Sequence, residues 1–170
     1  MLIDLALPTT LETRAGDVTL RRATERDLDV LMTLLSDDPI SSSRGDVADS
    51  GDRDAYQAAL AQIIADAANE LLVVVDDSDA PIATMQLTRI PGMARRGSTR
   101  LLVEAVRVNS AMRSSGIGGA MMRWVTDTAA PTLGSRLVQL TSDAARTDAH
   151  RFYERLGFVG SHVGFKYPVA

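Results

Sequence analysis

The residues with the clearest chemical use in this 170-residue chain are Arg113, Ser114, Ser115, Gly116, Ile117 and Gly118, with Gly119 beside them. They form a short polar turn between an apolar run and an amphipathic one. A turn of this kind leaves backbone N–H groups unpaired at a helix N-terminus, and its glycines let a ligand approach closely. Phosphate oxygens suit such a place. A nucleoside-triphosphate loop would need Gly-Lys before Ser or Thr, and the single lysine, Lys166, lies far away. A dinucleotide fingerprint would need a third glycine where Met121 stands and an acid near Gln139, whereas the nearest acid is Asp143. A plain strand-to-helix turn, its glycines serving geometry only, stays open on these residues alone.

Glu104 is the one acid in the run Leu101 to Val108, and alternation places it with Leu102, Val106 and Val108. Apolar neighbours would desolvate it and raise its proton affinity toward that of a general base, acting directly or through water. A structural ion pair with one of the arginines is the other account. His150, on a helix surface, and His162, in a terminal strand, are weaker candidates.

The elements that must hold these groups follow from periodicity. Leu101 to Val108 reads as a buried strand, and Ile117, Met121, Trp124 and Val125 share one helix face. Upstream, Val18 to Arg22 predicts a strand, Thr24 an N-cap, and Leu28, Leu31, Met32 and Leu35 an inward helix face. Tyr56 to Ala67 predicts a second helix, and Leu71 to Val75 with Ile82 to Arg89 an antiparallel hairpin. Downstream come a strand at Leu137 to Thr141, a helix at Asp148 to Leu156 closed by Gly157, and a last strand at Val159 to Tyr167. The order predicts an α/β chain with a mixed sheet and helices on its faces.

Asp37 to Asp54 has loop composition with six aspartates against Arg44 and Arg53. It is either a solvated connection or an acidic wall that draws a cationic amine. Arg95, Arg96 and Arg100 form a small basic patch that reads as a solvated hairpin tip, with a binding patch as the other account. The length and the 45% hydrophobic content predict one domain, residues 18–170, after an N-terminal extension, 1–17, that reads as loose. A net charge of −4 argues against a nucleic-acid partner. The lack of cysteine removes thiol nucleophiles and Cys-ligated metal and suits a reducing compartment, the cytoplasm by default. The N-terminus has no basic region before its apolar run, so neither a signal peptide nor a membrane span is expected.

Val106-Arg107-Val108, the turn Arg113 to Gly118, and Phe152-Tyr-Glu-Arg-Leu-Gly-Phe158 together resemble the GNAT superfamily of acetyl-CoA-dependent N-acetyltransferases, from about Val18 to Pro168. The resemblance implies a mostly antiparallel central sheet in which the central strand and the strand at Leu137 splay apart for the pantetheine arm. It implies acetyl-CoA as co-substrate, no metal and no covalent enzyme intermediate. The turn would hold the pyrophosphate, with help from Arg113 and Ser114 or Ser115. Val106, Arg107 and Val108 would offer backbone groups to pantetheine, one of them as oxyanion donor. Glu104 would be the base and Tyr153 the acid. Ser115 departs from the Gly or Arg usual in the family, and Arg146 from the Asn that touches the cofactor in many members. The implied acceptor is a small-molecule primary amine, with a protein N-terminus or lysine as the alternative. A CoA-binding regulatory module without turnover is a reading of another class, and a homodimer is compatible with all of them.

Overall fold

The computed structural model describes residues 1–43 and 45–169. Its six-stranded sheet has strands in chain order: β1 (Thr9–Thr13), β2 (Gly16–Arg22), β3 (Asn69–Val75), β4 (Pro81–Ile90), β5 (Arg100–Val108) and β6 (Leu137–Leu140). Every neighbouring pair is antiparallel except β5 and β6, which run parallel. That parallel step needs a crossover, supplied by α5 (Ile117–Trp124), a π turn at Val125–Ala129, and α6 (Ala130–Thr132). The wide turn precedes Pro131, which lacks an N–H to continue the ladder, and Gly134 at φ 63° then ends the helix.

Each sheet face has its own apolar layer. On one, Leu20, Leu72, Val74, Met85, Leu87, Leu101 and Val103 pack with Ile117, Met121, Met122 and Val125 of the crossover. On the other, Val73 and Val75 pack with Leu28, Leu31 and Met32 of α1 (Leu28–Ser36) and Leu60 of α3 (Arg53–Ala65). Period-2 alternation along β3 and β4 feeds both layers at once, as a sheet covered on both sides requires. Two short segments complete the helices: α2 (Pro39–Ser42), and α4 (Ala94–Gly97), in which Arg95 and Arg96 take left-handed angles.

Three expectations are corrected. The first seventeen residues are not loose: β1 pairs with β2 from Thr9↔Leu20 to Thr13↔Gly16, and Leu2, Leu5 and Leu11 are buried. Arg22 donates to the carbonyls of Leu2, Ile3 and Leu5 at 3.2 Å each and to Glu70 at 2.9 Å, which pins the chain start. The last strand does not form within the chain: after α7 (Thr147–Arg155), residues 159–169 are exposed and join no ladder. The alternation along β5 is broken by a bulge. Gln86 opposes Glu104 and Thr84 opposes Arg107, so two residues of β5 face one of β4, with Ala105 at φ 50°. Glu104 therefore shares its face with Leu102 and Arg107, while Val106 and Val108 pack toward the α5 layer.

Candidate active site

β5 and β6 separate just beyond the bulge. Their pairing ends at Val103↔Leu140, yet β5 continues to Val108, so residues 104–108 are laddered only on the β4 side. The other side of this stretch faces no strand among the described residues, although Arg107 and Arg113 donate to the Val106 and Val108 carbonyls there. The ladder stops where the expected splay would begin, because β6 itself ends at Leu140.

The polar turn begins where β5 ends. The Asn109 side chain accepts from Ala111 N–H at 2.9 Å, and Ser115 Oγ donates to the Met112 carbonyl at 2.6 Å, so the turn is tied internally. Ser114 (φ 68°) and Gly116 (φ 96°) are both left-handed, which brings the chain sharply into α5. Gly116 is obligatory for a second reason: a Cβ there would sit 3.1 Å from the Arg14 backbone nitrogen, in the hairpin between β1 and β2. Arg14 N–H itself donates to the Ser115 carbonyl at 3.1 Å. The first amides of α5, on Ile117, Gly118 and Gly119, have no earlier turn to bond to and carry the positive end of the helix. A Cβ on Gly118 would lie 3.5 Å from Phe152 Cζ and 3.7 Å from Val108 Cγ2. Three separate motif segments thus meet at one point.

Arg113 leans away from the turn. It donates to the Asp37 and Val108 carbonyls and lies 3.8 Å from the Asp37 carboxylate, which also accepts from Ser110 N–H. Its charge stays at the mouth of the cleft while its side chain anchors the end of α1.

A second polar cluster was not anticipated. Arg146 grips Asp38 through both guanidinium ends and donates to Ser41 Oγ at 3.3 Å, and Arg107 donates to the same Ser41 oxygen at 2.6 Å. Arg107 also reaches the Val106 carbonyl, and its Nε is enclosed without a partner. Burial and the neighbouring Arg146 push the Arg107 guanidinium below its ordinary pKa, against the pull of Asp38 and Asp46. Burial also tends to raise the Asp38 carboxyl, but Ser41 N–H and Arg146 outweigh it and hold the group below its ordinary range. Residue 146 is thus engaged with α2, 108 positions away in sequence, and no local pattern announces that pair. Asp38 ahead of Pro39 did carry a signal, that of a helix N-cap, and its carboxylate accepts from Ser41 N–H at 2.9 Å.

Tyr153 stands on α7 beside this cluster. Its ring packs edge-on between Phe152, at 5.0 Å, and Phe158, at 5.8 Å. Burial raises its phenol pKa, opposed by Arg107 and Arg146. It is therefore protonated at neutral pH, and two cations stand ready to stabilise the phenolate it leaves. Glu104 is exposed on the cleft strand rather than desolvated. His150 is held by the Asp143 carbonyl at 2.8 Å, and His162 sits in the exposed tail against Ser161.

The acidic connection is largely occupied. Asp37 and Asp38 hold the partners above, Asp46 accepts from Tyr56 at 2.8 Å, and Asp49 accepts from Gly51 N–H at 2.7 Å. Arg44 of that stretch lies outside the described residues. Among the described residues no cluster of three or more metal-ligating side chains occurs, and no helix is long and apolar enough to cross a membrane.

The model of the acetyltransferase (GNAT) family matches residues 29–158. The chain is similar to the crystal structure of a transcriptional regulator from Bacillus halodurans C-125, with 38% identity and a TM-score of 0.84 over 89% of this chain and 99% of that one. It is similar in fold to an acetyltransferase of Trypanosoma brucei, with 22% identity and a TM-score of 0.70 over 90% and 100% of the two chains. The fold is shared also with glucosamine-6-phosphate N-acetyltransferase from Arabidopsis thaliana, with 16% identity and a TM-score of 0.71 over 90% and 99%. No curated protein sequence matches the chain.

Proposed function

The chain belongs to the GNAT family of acetyltransferases, and from that premise we propose that it transfers acetyl from acetyl-CoA to a primary amine of a small molecule by direct attack. One observation supports this above others: β5 outruns β6 beyond a bulge and leads straight into a glycine turn at a helix N-terminus. Such a strand offers backbone partners to a pantetheine arm, and such a turn offers N–H groups to the pyrophosphate that follows it. Backbone groups of Val106 to Val108, the amides of residues 116–119 and the Ser114 and Ser115 hydroxyls make up this binding reading. Arg113 adds charge at the mouth. Arg146 contributes through the field it shares with Arg107, since its side chain is engaged with Asp38.

In this reading Glu104 accepts the ammonium proton through a water, a route its exposure permits. The amine nitrogen bonds to the thioester carbon, a backbone N–H of Val106 to Val108 stabilises the oxyanion, and the carbon–sulfur bond breaks. Tyr153 gives its proton to the departing thiolate, the amine nitrogen loses its second proton through solvent to the phenolate as the amide forms, and Arg107 and Arg146 stabilise the phenolate until that proton arrives.

A screen of primary amines with acetyl-CoA, reading released thiol, tests the proposal; turnover on at least one small amine is expected. The name of the Bacillus halodurans relative favours a second reading, a CoA-binding regulatory module. CoA binding by calorimetry with no thiol release on any amine would decide for it.

A further inference from the structure

The bulge in β5 puts an unpaired acid and an unpaired cation on one face of the strand. Gln86 opposes Glu104 and Thr84 opposes Arg107, and these two β4 residues are next-but-one neighbours. Glu104 and Arg107 therefore stand about 6.5–7 Å apart along the strand. In a regular strand, three positions apart, they would point to opposite faces. Among the described residues the exposed Glu104 carboxylate has no hydrogen-bond or ion-pair partner, and it does not pair with Arg107.

Arg21, Arg22, Arg53 and Arg146 each meet a carboxylate. Arg107 is partly buried and meets none among the described residues. Its terminal nitrogens donate to two uncharged oxygens, the Val106 carbonyl at 2.9 Å and Ser41 Oγ at 2.6 Å, while Asp38 and Asp46 act on it only from beyond ion-pair distance. Each terminal nitrogen of a guanidinium carries two N–H groups, so each keeps one. The direction of the group is also set. Asn109 N–H bonds to the Ile82 carbonyl of the β4 side, and backbone groups alternate along a strand, so the Val106 carbonyl points to the side of β5 left open beyond β6. The guanidinium that caps this carbonyl stands on the open side with it. Ser41 is buried, its N–H is held by Asp38, and Arg146 grips Asp38 in turn, so the hydroxyl that steers Arg107 is itself fixed.

We infer that the amine acceptor is a zwitterion of the free amino acid class, its carboxylate held by Arg107 and its ammonium facing Glu104. This deepens the acetyl-transfer reading and rests on it. A guanidinium fork matches the two oxygens of a carboxylate. In an α- or β-amino acid the nitrogen and the carboxylate lie about one hydrogen-bond length apart, so one small molecule meets both groups with a water between its nitrogen and Glu104. A partly buried cation without a counter-ion is costly, and an anionic ligand relieves it. With the carboxylate seated, Arg107 and Arg146 face two anions instead of Asp38 alone.

The test compares each of a panel of L-amino acids and β-alanine with its own amide, using acetyl-CoA and reading released thiol. For at least one pair the free acid is expected to be favoured in kcat/KM by roughly tenfold to a hundredfold, the worth of a hydrogen bond to a charged group. The amide has the more acidic ammonium and offers more free amine at neutral pH, so that bias opposes the expected result. Arg107→Gln is expected to bring the ratio near one, whatever it does to the rate itself. Arg107→Lys keeps the charge without the fork and is expected to give an intermediate ratio. Circular dichroism checks that both variants fold. Amides or plain alkylamines used as well as the amino acids overturn the inference and leave acetyl transfer standing. A preference that survives in Arg107→Gln overturns it too, because another group then holds the carboxylate. If no amine releases thiol, saturation-transfer NMR on the CoA-loaded protein decides. Amino acids that bind the wild type and not Arg107→Gln retain the carboxylate seat without the reaction, and amino acids that bind neither overturn it together with the acetyl-transfer reading.

Discussion

Tyr153 carries the sharpest test at the scale of single residues. Tyr153→Phe keeps the ring between Phe152 and Phe158 and removes only the proton, so stability should barely move while acetyl transfer falls roughly a hundredfold or more. Steady-state rates beside a urea melt separate the two; a lower melting point with full activity would make the residue structural. Glu104→Gln should leave CoA affinity intact and lower transfer by roughly a hundredfold. The sequence made Glu104 and Tyr153 visible as types in a pattern, but not their surroundings. The bulge at Ala105 turned Glu104 away from Val106 and Val108, and nothing in a Leu- and Val-rich run marks where a strand slips by one residue. Arg107 was legible only as backbone; its guanidinium beside Tyr153 comes from tertiary packing. A pH effect also belongs at this scale. Burial tends to raise Asp27, but Arg21, paired with it at 2.9 Å, and Thr24 N–H hold it below its ordinary value. Asp38 is held down similarly, so both bind a proton less readily folded than unfolded. Their stabilisation is complete above the ordinary carboxylate pKa of about 4 and is lost as pH falls through the lower folded values. Asp27→Asn should cost about 3 kcal/mol at neutral pH and flatten the acid limb of stability against pH, read by urea melts.

At the scale of elements, the turn before α5 separates its glycines by role. Gly116 has a left-handed φ and the Arg14 nitrogen against it, so Gly116→Ala should destabilise by about 1–2 kcal/mol and weaken CoA binding with it. Gly118 has ordinary angles and room for one methyl, so Gly118→Ala should fold normally. Gly118→Val should crowd Phe152 and the approach to the amides and lower CoA affinity in calorimetry. Unchanged affinity in Gly118→Val would move the pyrophosphate elsewhere. The two glycines looked alike in the sequence because spacing does not report φ. Helices α1, α3 and α7 were legible because each has a one-sided apolar pattern, and the β3–β4 hairpin because an unbroken apolar run and a second strand-like run flank a tight polar turn. β1 was not, because Thr9–Thr13 offers one buried leucine among polar residues and owes its strand to pairing with β2.

For the molecule as a whole, the chain start is part of the core. Removing residues 1–8 exposes the surfaces that cover Leu2 and Leu5 and strips Arg22 of three carbonyl partners. At about 1.5–3 kcal/mol for each buried leucine, the loss should exceed 3 kcal/mol and show as a clear fall in thermal midpoint. The strand order has a consequence for synthesis. Because the six strands lie in the sheet in the order in which they leave the ribosome, each new strand meets the edge that the previous one has just formed. Among the described residues the one parallel step is the last, and the proposed site lies where β5 runs on beyond β6. A nascent chain can therefore complete its antiparallel meander before the site proposed for the thioester exists. The proposed site is therefore assembled only once β6 and the helix bearing Tyr153 have emerged, after the meander that carries Glu104 is already in place.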